Sequence, residues 1–221
     1  KMSSVKGFSS TWKTKLKPYI FIFRILALSS LIIAMARPRT VDISSQTKST
    51  KGIDIVMAID VSGSMLARDL KPNRMEALKK VATSFVEGRP NDRIGIVLYA
   101  AEAYTKTPVT SDKAIVEDAI RTIEYNQVLQ DGTGIGMGLT TAVNRLKDSK
   151  AKSKVIILMT DGVNNAGFIE PETASQIAKD YGIKVYTIGI GTNGMAEFPY
   201  AYAPTGKGFL FKMMPVDIDV N

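Results

Sequence analysis

At 221 residues the chain is long enough for one α/β domain with flanking segments, and for a sizeable core without covalent staples. It has no cysteine and no histidine, which excludes disulfides, thiolate metal sites and imidazole acid/base chemistry, so any metal is held by oxygen. The net charge of +8 sits at one end: residues 1–51 carry ten Lys/Arg against one acid, Asp42, and the rest is 19 against 20, a pattern of a membrane boundary and not of a nucleic-acid surface.

In chain order, a basic flank over residues 1–17, with Lys13, Lys15 and Lys17, leads into Pro18 and the apolar run Tyr19 to Ala36, closed by Arg37-Pro38-Arg39. Eighteen helical residues span about 27 Å, enough for a hydrocarbon core of about 30 Å, so a transmembrane helix is expected over 18–37. Arg24 lies close enough to the Lys-rich end to snorkel, and Tyr19, Phe21 and Phe23 suit an interfacial belt. The Lys-rich flank outweighs the basic residues on the other side slightly, which places that flank inside the cell. No A-x-A-like cleavage site follows, so a signal peptide is not expected. A polar linker over 38–51 then opens a domain over 52–221. The start at Lys1 and the stop at Asn221 suggest a piece of a longer protein.

The apolar run from Ile53 to Ile59 reads as a buried parallel strand, and it ends in Asp60, Ser62 and Ser64 around Gly63. One carboxylate and two hydroxyls then turn together where ligands bind open parallel sheets. Alone, such a loop is equally well an ordinary turn. A helix follows from Arg74 to Val86 with Met75, Leu78, Val81, Ala82 and Phe85 on one face, then a strand from Arg93 to Ala101. Tyr104 to Val109 reads as an antiparallel neighbour of that strand. Ser111-Asp112 caps a helix carrying Ile115, Val116, Ala119, Ile120 and Ile123. Asp131-Gly132-Thr133-Gly134 opens a third helix, Ile135 to Leu146. A strand from Lys154 to Thr160 again ends in an acid, Asp161. A helix from Glu172 to Tyr181 and a strand from Lys184 to Ile190 follow; beyond Gly191 only Phe209 to Met213 suggests another strand. The fold class predicted is α/β: a doubly wound, mostly parallel sheet preceded by a transmembrane helix. Its three oxygen-bearing loops, with Asp60/Ser62/Ser64, Thr133 and Asp161, are expected on one edge.

With these loops in order, the chain resembles the von Willebrand factor type A (VWA) domain, whose metal-ion-dependent adhesion site combines a D-x-S-x-S loop, a separate Thr and a separate Asp. The resemblance implies that Ser62, Ser64 and Thr133 supply hydroxyl ligands, that Asp60 and Asp161 bind directly or through water, and that the ion is Mg2+, with Mn2+ and Ca2+ as alternatives. It further implies that an acidic side chain of a protein ligand fills the vacant position, so the domain binds and does not catalyse. DVSGSMLARDLKPNRMEALKK, NDRIGIVLYA, DGTGIGMGLTTAVNRLKDS and VIILMTDGVNNAG, with the apolar segment ending Ala-Arg-Pro-Arg, are similar to the BatA-type, aerotolerance-operon VWA proteins. That family implies an inner-membrane anchor, sister Bat-type partners and a linked MoxR-type AAA+ ATPase, with a last helix, strand and membrane helix that this chain lacks. With the N-terminal flank inside, the domain is expected in the periplasm, where the ATPase reaches it only indirectly.

Other readings are weaker. A haloacid-dehalogenase-type phosphatase needs a second acid two residues after its nucleophile, and here that position is Ser62. Gly132, Gly134, Gly136 and Gly138 fit neither dinucleotide nor P-loop spacing and are expected to serve close packing. Met57, Met65, Met75, Met137 and Met159 are expected in the core, Asn164 and Asn165 in loop shaping before rimming the ligand face, and Arg68 and Asp69 on a solvated surface before a partner contact. A membrane-tethered scaffold with a silent metal site is the remaining alternative.

Overall fold

The computed structural model describes residues 12–36, 52–125, 129–162, 164–203 and 208–216. The expected linker over 38–51, and Arg37, Pro38 and Arg39, lie outside them. The chain divides into two compact units, Lys1–Thr47 and Lys48–Asn221.

The first unit contains one described helix, α1 (Trp12–Ala36), which begins six residues before the expected start at Pro18. Its segment Tyr19–Ala36 is long and apolar enough to cross a membrane, and none of it is buried within the protein. Ile20, Phe21, Phe23, Leu26, Leu28, Ile32 and Ile33 are all exposed, the distribution of a helix apolar on every side.

The second unit is built on a five-stranded sheet in the order β3-β2-β1-β4-β5. Its strands are β1 (Asp54–Asp60), β2 (Arg93–Tyr99), β3 (Ala103–Thr110), β4 (Lys154–Thr160) and β5 (Ile183–Gly189). All pairs are parallel except β2–β3, the antiparallel hairpin that the sequence suggests. β1 is central and buried along its full length, because Ile55, Val56, Met57, Ala58 and Ile59 are apolar towards both faces.

On one face α2 (Arg74–Glu87) and α3 (Lys113–Arg121) cover Ile55, Met57, Ile59, Ile94, Ile96 and Leu98. On the other, α4 (Ile135–Leu146) and α5 (Pro171–Asp180) cover Val56, Ala58, Val97, Tyr99, Ile156 and Leu158. Asn73 caps α2 by accepting from Glu76 N–H at 2.8 Å, and Asp112 caps α3 by accepting from Ala114 and Ile115 N–H. Two expected core positions differ. Val81 and Ile115 are 53% exposed, because α2 and α3 pack on each other and on the sheet through narrower faces than the apolar pattern spans. Val86 takes the buried place on α2 instead.

Beyond β5, the strand suggested at Phe209 is longer than expected and paired: β6 (Gly194–Tyr202) and β7 (Phe209–Val216) form an antiparallel two-stranded sheet. β6 escapes a sequence reading because Pro199 and a register shift between Pro199 and Ala201 break its alternation. The glycines of α4 serve packing, as expected. A Cβ at Gly138 would lie 2.5 Å from the Tyr99 ring, and one at Gly136 would lie 1.9 Å from the Ile169 carbonyl oxygen.

Candidate metal centre

β1 and β4 run side by side with Ile59 opposite Met159, so both end at the same edge of the sheet. Asp60 closes β1 with its side chain buried; its Oδ1 accepts from Ser62 N–H at 2.9 Å and its Oδ2 from Thr160 Oγ1 at 3.0 Å. The backbone then turns through a short 3-10 segment, Gly63–Leu66. This presents Ser62 Oγ and Ser64 Oγ to each other at 2.9 Å. Ser64 Oγ donates to Asp161 Oδ1 at 2.9 Å, and Thr133 Oγ1 donates to Ser62 Oγ at 3.4 Å. The structure thus brings together every site residue singled out from the sequence: Asp60, Ser62, Ser64, Thr133 and Asp161.

The loops are fastened by residues of their neighbours. Asp131 Oδ1 accepts from Gly63 N–H at 3.0 Å, tying the loop before α4 to the one after β1. Gly63 suits that approach, since a Cβ there would stand 3.2 Å from both Asp131 carboxylate oxygens. Asn165 Oδ1 accepts from Thr133 N–H and Asn164 Oδ1 from Ile135 N–H, both at 2.8 Å. The Ile135 N–H is one that α4 itself cannot satisfy, so Asn164 helps cap the helix while Asn165 fastens the loop before it, the loop-shaping role expected of the two. The Thr133 carbonyl in turn accepts from Asn165 and Ala166 N–H.

Asp69 departs from expectation. The sequence leads one to expect a solvated surface, yet its side chain is 2% exposed and paired with Arg74 at 2.8 Å. Arg74 also reaches Asp161 Oδ2 at 2.9 Å, so the predicted site borders a buried ion-pair network that the sequence does not announce. One signal was readable: a cation in the first turn of a helix opposes the helix dipole and asks for a local reason. Arg68 is half exposed, as expected, but it pairs with Glu197 of β6 and lies over the Phe211 ring of β7 at 3.9 Å.

The electrostatics follow from burial. Desolvation first, and then the Asp161 charge, push Asp60 up to about 7, against opposing hydrogen bonds from Ser62 and Thr160. Burial pushes the Tyr99 hydroxyl well above its ordinary range, and the Asp60 charge adds to this. Burial would also raise Asp69, but hydrogen bonds from Arg74 and Thr192 N–H outweigh it and hold the carboxyl below its usual range.

The donor set is three hydroxyls and two carboxylates, with no nitrogen or sulfur. Among the described residues no group of three or more His, Cys, Asp or Glu is placed to hold a metal. An ion at this edge would therefore depend on the hydroxyls, and an all-oxygen set suits a hard divalent cation.

The chain matches the family model of the von Willebrand factor type A domain over residues 54–214. An uncharacterized protein of Borreliella burgdorferi is 33% identical over 178 residues, covering 79% of this chain and 52% of that protein. The chain thus spans about half the length of the curated relatives it matches. An aerotolerance-related membrane protein of Bacteroides fragilis superposes with a TM-score of 0.66 at 27% identity, covering 76% of this chain and 83% of that one. BatB of Bacteroides thetaiotaomicron superposes at 0.64 with 27% identity, over 75% and 82% of the two chains. A mussel byssus matrix protein with a zinc-occupied metal-ion-dependent adhesion site superposes at 0.53 with 26% identity, over 62% of this chain and 38% of that one.

Proposed function

The chain belongs to the von Willebrand factor type A family, and from that premise we propose that it binds a divalent cation, Mg2+ in the first place, and uses it to recognise an acidic side chain of a partner protein. One observation carries the reading: Asp60, Ser62, Ser64, Thr133 and Asp161, drawn from three loops, meet as one hydrogen-bonded cluster of oxygens at the sheet edge. Ser62, Ser64 and Thr133 hold the ion directly, and Asp60 and Asp161 do so directly or through water. The ion supplies positive charge to which an external carboxylate adds. The zinc-occupied site of the mussel matrix protein supports a divalent ion at this position of the fold. The position two residues after Asp60, where a haloacid-dehalogenase-type phosphatase keeps the acid that protonates its leaving group, is Ser62, which favours binding over that catalysis.

The test is thermal unfolding of the whole chain in detergent, titrated with Mg2+, Mn2+ or Ca2+. A ligand of the native state at a hundredfold excess over Kd stabilises by about 2.7 kcal/mol, which raises the midpoint by roughly 5–11 °C for a domain of this size. The shift should be lost in Asp161→Ala. A wild-type midpoint indifferent to all three ions at millimolar concentration would sink the metal reading in favour of a scaffold.

The domain order proposed is a basic flank over 1–17, a membrane helix over 18–37, a linker over 38–51 and the VWA domain over 52–221. The exposed apolar helix Tyr19–Ala36 and the aerotolerance-related membrane protein among the structural neighbours support an anchor in the bacterial inner membrane. The domain faces the periplasm. Its partners are other Bat-type VWA proteins, with a MoxR-type AAA+ ATPase coupled through the membrane helix or the cytoplasmic flank. Protease added to right-side-out spheroplasts should digest the domain; a protected domain would reverse the orientation.

A further inference from the structure

Arg74 is a cation where few are found, in the first turn of α2 with its side chain 3% exposed. Its Nε and Nη2 donate to the two oxygens of Asp69 at 2.8 and 2.9 Å, and its Nη1 donates to Asp161 Oδ2 at 2.9 Å. Asp69 is held from its far side by Thr192, through N–H at 2.8 Å and Oγ1 at 3.4 Å. Gly191, at φ +152°, lies against the guanidinium so closely that a Cβ there would stand 3.0 Å from its Cζ and Nη2. The fork is therefore clamped between α2 and the segment after β5, and it cannot swing off Asp161.

The two oxygens of Asp161 consequently do different things. Oδ1 accepts from Ser64 within the hydroxyl cluster, and Oδ2 is engaged by Arg74. We propose that Arg74 is a positioning residue that makes the centre a weak metal site by design, sharing the Asp161 charge so that the carboxylate of a partner has to supply what the ion lacks. The inference rests on the metal-binding reading above and deepens it. It explains why a cluster with only two carboxylates also carries a buried cation. Of the neutral Asp69–Arg74 pair it is the cation that meets Asp161, so an ion beside Asp161 would face the nearer positive charge and a carboxylate oxygen already engaged, which lowers the affinity for the ion alone. The bidentate carboxylate pair also fixes the guanidinium plane.

The probe is Mn2+, with its Kd measured by calorimetry on the whole chain in detergent. Truncating Arg74 alone would leave Asp69 buried and unpaired, so the informative variant removes both charges, Asp69→Asn with Arg74→Met. An amide at position 69 still accepts from Thr192 N–H, and exchange of a buried ion pair for neutral groups is often tolerated. The double variant should bind Mn2+ about tenfold more tightly than wild type, while Arg74→Lys, which keeps the charge, should stay within about threefold. A merely structural arginine gives the opposite sign, weaker Mn2+ binding in step with a lower unfolding midpoint. Wild-type binding that Asp161→Ala abolishes, joined to a double variant that binds no more tightly, would overturn this inference and leave the metal reading standing. Absence of binding in both wild type and the double variant at millimolar Mn2+ would remove both.

Discussion

Replacing Asp60 by Asn should stabilise the metal-free protein at pH 8, although it alters the residue at the heart of the site. Asp60 is fully buried at the end of β1, and burial, with the Asp161 charge beside it, pushes its carboxyl up from an ordinary 3.8 to about 7. A carboxyl raised in the folded state binds more protons folded than unfolded between those two values. Stability is therefore fully present below about pH 4, falls as pH rises through this window and stays low above about pH 7. Held ionised there at pH 8, the buried carboxylate costs on the order of 4 kcal/mol. Asn removes the charge and keeps the geometry, because its carbonyl can accept from Ser62 N–H and its amide can donate to Thr160 Oγ1. In EDTA at pH 8, Asp60→Asn should unfold at a midpoint at least several degrees above wild type, with the gap closing at pH 4. Millimolar Mg2+ should then raise wild type and leave the variant where it was. A variant less stable than wild type at pH 8 would show that the hydrogen bonds to the ionised carboxylate outweigh its burial.

Gly136→Ala should be strongly damaging for a single added methyl. In an ordinary helix this exchange gains about 1 kcal/mol. Here the added Cβ would lie 1.9 Å from the Ile169 carbonyl oxygen and 2.7 Å from its carbon, both backbone atoms of the segment entering α5. Neither can rotate aside as a side chain would, so α4 and α5 have to separate. The loss is expected at about 3 kcal/mol or more, a drop of roughly 6–12 °C in the midpoint. Gly88→Ala is the matched control: its Cβ would meet nothing closer than 3.6 Å, so the change should stay within about 0.5 kcal/mol. Equal midpoints for the two variants would mean that α4 and α5 are not packed as described.

What could be read from the sequence was whatever has a period or a spacing. The runs ending in Asp60 and Asp161 are apolar towards both faces and stop in oxygen, so strands, sheet and the edge that gathers the site were all legible. The turn residues around Asp112 and the α4 glycines carried their own local physics. Contacts between segments remote in sequence were not legible. Nothing in Arg-Asp-Leu-Lys-Pro-Asn-Arg says that Asp69 turns inward, because its place depends on Thr192 arriving from 123 positions away. Val81 fits the apolar stripe of α2, but a stripe says which face is apolar and not how much of it a neighbour will cover. β6 carries Pro199 and mixed polarity, and it forms a strand because β7 is there to pair with it.

The central place of β1 has a consequence in time. Asp60 and Asp161 become neighbours only once the register of β1 on β4 is set, with Asp54 opposite Lys154 and Ile59 opposite Met159, a hundred positions apart in the chain. Pairings so distant in sequence bear a heavy loop-closure cost and form slowly. No fragment that stops before β4 holds both carboxylates, so during synthesis the centre does not exist until α4 and β4 have emerged. An ion that binds there meets only the finished sheet. It can hold the folded protein longer, by slowing its opening, but it cannot guide the chain towards that state.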